Sequence, residues 1–252
     1  MTTDKKRSWR SGGLLASSAI VGVALWWGLA LPMTTRQGIN YHVSTYQIPA
    51  YAKGAAFLHR HYETKALARG ITRGLATDRE RVEAIYQWTI ANIRPIPKGF
   101  PIVDDHVWHI IIRGYGGADQ TADVFTTLCA YAGLRAFWHP VSIQDHPAWL
   151  FPSFVRVDGR WVLFDIDNKK VFTEAAGEFL DVEELLSDPK AMAAAGRTRN
   201  GVKYRLYLER LKPFHEPYPL RAEMQMPGPR ICFELWRRLG HPPQPGPGAE
   251  QP

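Results

Sequence analysis

The chain has 252 residues, enough for one medium domain with appendages or for two small ones. Its 45% hydrophobic and 22% charged residues exclude wholesale disorder, and a mean hydropathy of -0.26 excludes a polytopic membrane protein. Lys5, Lys6, Arg7 and Arg10 against Asp4 supply +3 of the formal charge of +7, so the remainder is too thin to indicate nucleic-acid binding. The two cysteines, Cys129 and Cys232, exclude a disulfide-rich scaffold and a multi-cysteine zinc module.

Residues 11–32 carry no charge, follow a basic segment and end near Trp26 and Trp27. An apolar run of about 20 residues is long enough to cross a hydrocarbon core of about 30 Å. The composition therefore predicts a cytoplasmic tail over 1–10 and a transmembrane signal anchor over 11–32, attached to the inner membrane with the body in the periplasm. Gly28-x-Ala30 keeps open a leader that is cleaved instead, and a buried core helix is the third reading. Either membrane reading would let Cys129 and Cys232 pair, which their spacing leaves undecided.

Beyond the run, residues 33–48 read as a connector or first strand, within a lead-in over 33–77 that continues as a helix from about Ala50 to Arg69. The strongest helix signal lies over 78–93. Thr77-Asp78-Arg79-Glu80 is a capping box, Val82, Ile85, Tyr86, Thr89 and Ile93 share one stripe, and Pro95 and Pro97 stop it. Residues 98–116 read as a loop rich in chemistry-bearing groups, including Asp104, Asp105, His106, Trp108 and His109. A helix follows over 118–132, and then strands over 135–141, 153–157 and 161–166, with Asp158-Gly159 as a tight hairpin between the last two. Short helices are expected near 182–186 and 191–195, a basic helix over 204–212 and a short amphipathic helix over 231–239. The Pro/Gly-rich stretch 241–252 reads as a disordered tail.

The order helix, glycine-ended loop, helix, strand, strand, hairpin, strand resembles the transglutaminase-like core, a branch of the papain-like thiol enzymes. Gly114 to Ala136 resembles the family's nucleophile helix and the strand after it, and Val157 to Asp165 resembles the hairpin that ends on its aspartate. The resemblance covers roughly residues 78–170 and implies an α+β fold with a helix packed on a small antiparallel sheet. On that basis the domain is expected over 78–225, with a C-terminal helical extension, and 226–252 as a short helix and tail.

The family's chemistry, as the resemblance implies it, needs a thiolate at the start of the helix, a histidine on the next strand and an aspartate on the third. Here the nucleophile position is Ala118, and nine residues before Gly159, where the family carries histidine, stands Leu150. Only Asp165 matches, and it reads equally as a residue that hydrogen-bonds the strand end. Cys129 lies 11 residues after Ala118, about 16 Å along a helix, which fits a buried core thiol better than a substitute nucleophile. His146 is the remaining substitute base, but it lies four residues further out, behind Pro147 and Pro152.

The resulting expectation is a membrane-anchored extracytoplasmic pseudoenzyme that binds a peptide or glycan, or scaffolds envelope assembly with an envelope protein or polysaccharide as partner. Asp105, His106, Trp108, Tyr115, Asp119, Gln120 and Asp165 are its candidate binding residues, with no cofactor and no metal. Helix capping is the plainer reading of Asp119 and Gln120, and a packed polar loop that of His106 and Trp108. The alternative is a hydrolase or acyltransferase rebuilt on Asp119, Asp105, His106 or His109. Arg197, Arg199, Lys203, Arg205, Arg210 and Lys212 read as a solvated face, or else as a contact for anionic headgroups. A third reading places the function in the span and the basic C-terminal half.

Overall fold

The computed structural model describes residues 20–39, 42–101, 104–143, 146–174 and 176–240. The chain divides into two units, residues 1–59 and 60–252.

In the first unit, residues 20–30 are helical and strands β1 (Pro32–Ile39) and β2 (His42–Pro49) form an antiparallel hairpin. Helix α1 (Ala50–Ile71) starts here and runs on into the second unit. The predicted transmembrane helix over 11–32 is not found among the described residues, and residues 11–19 of that segment lie outside them. No helix among the described residues is long and apolar enough to cross a membrane. Pro32 then opens β1, where a fixed φ and a missing N–H suit a strand end rather than a continuing helix. The connector over 33–48 is mostly this hairpin.

The second unit is built around helix α4 (Ala118–Tyr131), buried along most of its length, from Gln120 to Ala130. Helix α2 (Asp78–Asn92) begins at the anticipated box: the Thr77 hydroxyl accepts from Glu80 N at 3.1 Å and Glu80 Oε2 accepts from Thr77 N at 2.9 Å. Its stripe Val82, Ile85, Tyr86 and Thr89 is buried, together with Ala68 of α1.

The loop expected over 98–116 contains helix α3 (Val107–Arg113), which ends on Gly114 at φ 69°. Val107 and Ile110, one turn apart, are buried, and this short apolar pair is what makes the segment a helix. Two residue pairs, β3 (Arg94–Pro95) and β4 (Tyr115–Gly116), run parallel and tie the end of α2 to the start of α4.

The main sheet holds β5 (Ala136–Trp138), β8 (Ser153–Val157), β9 (Arg160–Asp165) and β10 (Lys170–Val171), all antiparallel, in the order β10-β9-β8-β5. A small hairpin of β6 (Val141–Ser142) and β7 (Trp149–Leu150) stands beside it. Asp158 at φ 48° and Gly159 at φ 85° make the β8–β9 turn, the double positive φ that a two-residue hairpin needs.

Alternation along the strands separates two cores. Ala136, Val155, Val157, Val162 and Phe164 join α2, α3 and α4 on one face. Phe137, Phe154 and Leu163 face the other way, against α5 (Val182–Ser187), α6 (Pro189–Ala194), α7 (Tyr204–Leu208) and Leu220. A cavity of about 260 Å³ opens on this second face, floored by Phe137, Phe154 and Phe214 and edged by His139, Arg210 and His215. Helix α8 (Pro227–Arg238) closes the described chain, and the tail expected over 241–252 lies outside the described residues. Cys129 is buried and Cys232 exposed, and both are free thiols, so they do not pair.

Candidate functional site

Helix α4 leads through a short turn into β5, which runs beside β8, which in turn pairs with β9. This connection brings the start of α4 to the end of the sheet that carries Trp138, Ser153 and Asp165. Ala118 is the first helical residue, with Gly117 as N-cap. Gly117 has no side chain to cap with, and Gln120 Oε1 accepts from its N–H at 3.1 Å instead.

Gln120 joins α4 to the preceding segment. Its Oε1 also accepts from Arg113 Nη2 at 2.8 Å, and its Nε2 donates to Asp105 Oδ1 in a short contact. Arg113 further donates to the backbone oxygens of Tyr115 at 2.9 Å and Asp104 at 2.7 Å. The buried Asp104 carboxylate accepts from His106 N at 3.0 Å and meets His109 Nδ1 at 2.6 Å. Five side chains, Asp104, Asp105, His109, Arg113 and Gln120, thus form one hydrogen-bonded group.

The His106 ring lies beside it, 5.4 Å from that of His109, and its buried Nδ1 has no hydrogen-bond partner. Burial, then the nearness of Arg60 and His109, lower its pKa to about 4 against the pull of Asp104.

Further along α4 the Asp123 carboxylate is nearly fully buried, 2% exposed. Trp138 Nε1 donates to Oδ1 at 3.1 Å, Arg221 Nε to both oxygens at 3.1 Å, and Arg221 Nη2 approaches Oδ2 at 3.0 Å. Burial raises the Asp123 pKa in spite of these donors. The Arg221 guanidinium also sits 5.8 Å over the Trp138 ring. Residue spacing did not point to Asp123, Trp138 or Arg221 as a group. The visible signal was that Asp123 falls one turn after Gln120; partners 15 and 98 residues away leave none.

Of the sequence-predicted residues, the structure brings Asp105, His106 and Gln120 together. Tyr115 stands next to them, its hydroxyl donating to Pro101 O at 3.0 Å and its ring edge-on to Phe100. The Asp119 carboxylate folds back over Gly117, where a Cβ would lie 2.7 Å from Oδ1. Trp108 is half-buried on α3. Among the described residues no three His, Cys, Asp or Glu side chains converge as a metal ion would require.

Residues 65–166 match the family model of the transglutaminase-like superfamily. This segment belongs to that superfamily. Three solved structures are similar to the chain. One is a candidate protease from Parabacteroides distasonis ATCC 8503, 14% identical with a TM-score of 0.34, covering 60% of this chain and 40% of that one. The second is a candidate cysteine protease from Cytophaga hutchinsonii, 16% identical with a TM-score of 0.38 and 56% of each chain covered. The third is a TGase, 12% identical with a TM-score of 0.32, covering 56% and 45%. The chain spans about half the length of these structures. No curated protein matches it.

In this transglutaminase-like domain the three positions aligned by resemblance have separate fates. Ala118 offers a methyl group at the helix start. Leu150 is 3% exposed and packs in the second core. Asp165 is engaged by its own turn and by α7: Oδ1 accepts from Asn168 N at 3.1 Å, and Oδ2 from Asn168 Nδ2 at 2.7 Å and Tyr204 Oη at 2.8 Å. Burial raises its pKa against these bonds. The substitutes fare no better. Cys129 is fully buried, which drives its thiol pKa well up, and the exposed His146 accepts from Ala148 N within its own turn.

Proposed function

We propose that the transglutaminase-like domain binds an extended peptide over the surface around the start of α4 and does not transfer acyl groups through a thiol. The carrying observation is the absence of sulfur at that helix start: position 118 is alanine, and Cys129 is enclosed far along the helix. A thiolate there is what the helix dipole and free N–H groups would otherwise activate. Half-buried Tyr115 and exposed Phe100 offer ring faces beside Asp105 and Gln120, a mix suited to side chains and backbone of an extended chain. The test pairs two assays on the full chain. Amine incorporation into, and hydrolysis of, a glutamine-containing peptide should be absent, while fluorescence anisotropy with an extended-peptide library should find binders that Gln120→Leu weakens. Turnover by the unaltered chain that disappears in Asp165→Ala would overturn the reading.

A second reading has one observation in its favour. Asp104 holds His109 through Nδ1 at 2.6 Å, and the His109 side chain is 42% exposed, so its other nitrogen is open to water. Hydrolysis that survives Asp165→Ala and is lost in His109→Gln would select this reading.

A further inference from the structure

Helix α8 presents an apolar face that nothing among the described residues covers. It has no buried residue, and Ile231, Leu235, Trp236 and Leu239 are 57%, 54%, 52% and 69% exposed. At about 100° per residue these four and Cys232 fall within an arc of about 140°. Half-buried Phe233 extends the apolar arc to about 200°, and Arg230, Glu234, Arg237 and Arg238 occupy the rest, with Arg237 and Arg238 bordering it on opposite sides. Glu234 pairs with Arg237 at 2.7 Å and approaches Arg230 at 3.8 Å, which leaves the helix surface net positive. A Tyr131 hydroxyl donating to Gln225 O at 2.9 Å anchors the turn just before the helix to the body.

We propose that α8 is a membrane-surface docking helix that lies in the plane of an anionic lipid headgroup layer, with Ile231, Leu235, Trp236 and Leu239 toward the acyl chains. An apolar face with tryptophan, bordered by arginines, is the physical form of an interfacial helix. Twelve residues rise about 18 Å, too short to cross and long enough to lie flat. Charge complementarity selects the occupant. Arginines on both borders meet anionic headgroups, whereas a second copy of the chain would set like-charged borders against each other. Four or five side chains are also far fewer than the roughly 20–30 residues per side of a stable protein interface.

The cysteines supply the test. Cys232 lies exposed on the apolar arc and Cys129 is fully buried, so a thiol-reactive environment-sensitive dye on the native full chain reports from α8 alone. Its emission should shift to the blue on phosphatidylglycerol/phosphatidylcholine vesicles and stay unchanged on phosphatidylcholine alone. Without dye, the anionic vesicles should slow modification of Cys232 by a charged, impermeant maleimide. Leu235→Glu, at an exposed position, should abolish both effects. Arg237→Gln with Arg238→Gln should weaken apparent partitioning about 25-fold, near fivefold per arginine. No shift on anionic vesicles, a shift that persists in Leu235→Glu, or a lipid-free shift that grows with protein concentration would each overturn the proposal, the last in favour of self-association.

Discussion

Asp123 is a carboxylate almost shut off from water whose charge partner, Arg221, is 58% exposed. Removing a partner from a buried ion costs far more than the pair contributes, because the remaining charge stays desolvated. Arg221→Leu should therefore lower unfolding stability by about 3 kcal/mol in urea titrations. Asp123→Asn in the same background should recover part of that loss; equal stability of the single and double variants would contradict the ion-pair account. His106 provides a pH-dependent counterpart. Its folded pKa, lowered to about 4 chiefly by burial, lies below the unfolded value near 6.5. Between those values the unfolded chain takes up a proton that the folded chain refuses. The stability from a neutral His106 is thus complete above about pH 6.5 and lost as pH falls to about 4, by up to about 3 kcal/mol. Urea midpoints at pH 7 and 4.5 should differ more for the native chain than for His106→Gln. An identical difference in both would show that the ring does not titrate as described.

At the scale of elements, the end of β9 is a structural joint. Asp165 closes the turn after β9 through Asn168 and clamps α7 through the Tyr204 hydroxyl. Helices α5, α6 and α7 have five or six residues each, too short to be stable alone, so such clamps and the second core hold them. Tyr204→Phe should cost about 1–3 kcal/mol in thermal or urea unfolding, since a fully buried carboxylate loses a donor with no water to replace it. Loss of less than about 0.5 kcal/mol would mean that the clamp is not needed. α2 is the opposite case. Its capping box and apolar stripe are local, and its limits of 78–92 match the sequence reading nearly to the residue. α3 is harder to read from sequence, because titratable residues interrupt its pattern and only Val107 and Ile110 carry helical spacing.

Across the whole molecule, the main sheet is buried on both faces, with α4 on one and α5, α6 and α7 on the other. This packing separates the two thiols into different environments. A thiol reagent should therefore count one fast group, Cys232, in the native chain and two after unfolding. Fast reaction of both before unfolding would contradict the burial of Cys129 in the core around α4.

The sequence by itself determined the superfamily resemblance, α2, α4, the β8–β9 hairpin with its Asp158-Gly159 turn, and the alanine where a thiol would stand. These are signals of local spacing, capping and turn chemistry, which neighbouring residues carry without help. The apolar run over 11–32 shows the limit of composition: hydrophobicity read as a span, and the described residues hold no helix long and apolar enough for one. Only the tertiary structure decided that Gln120, Arg113, Asp105 and Asp104 share one network, that Arg221 closes on Asp123, and that Asp165 serves Tyr204. Those partners lie up to 98 residues apart, and their pairing follows from which desolvated groups the packing forces together.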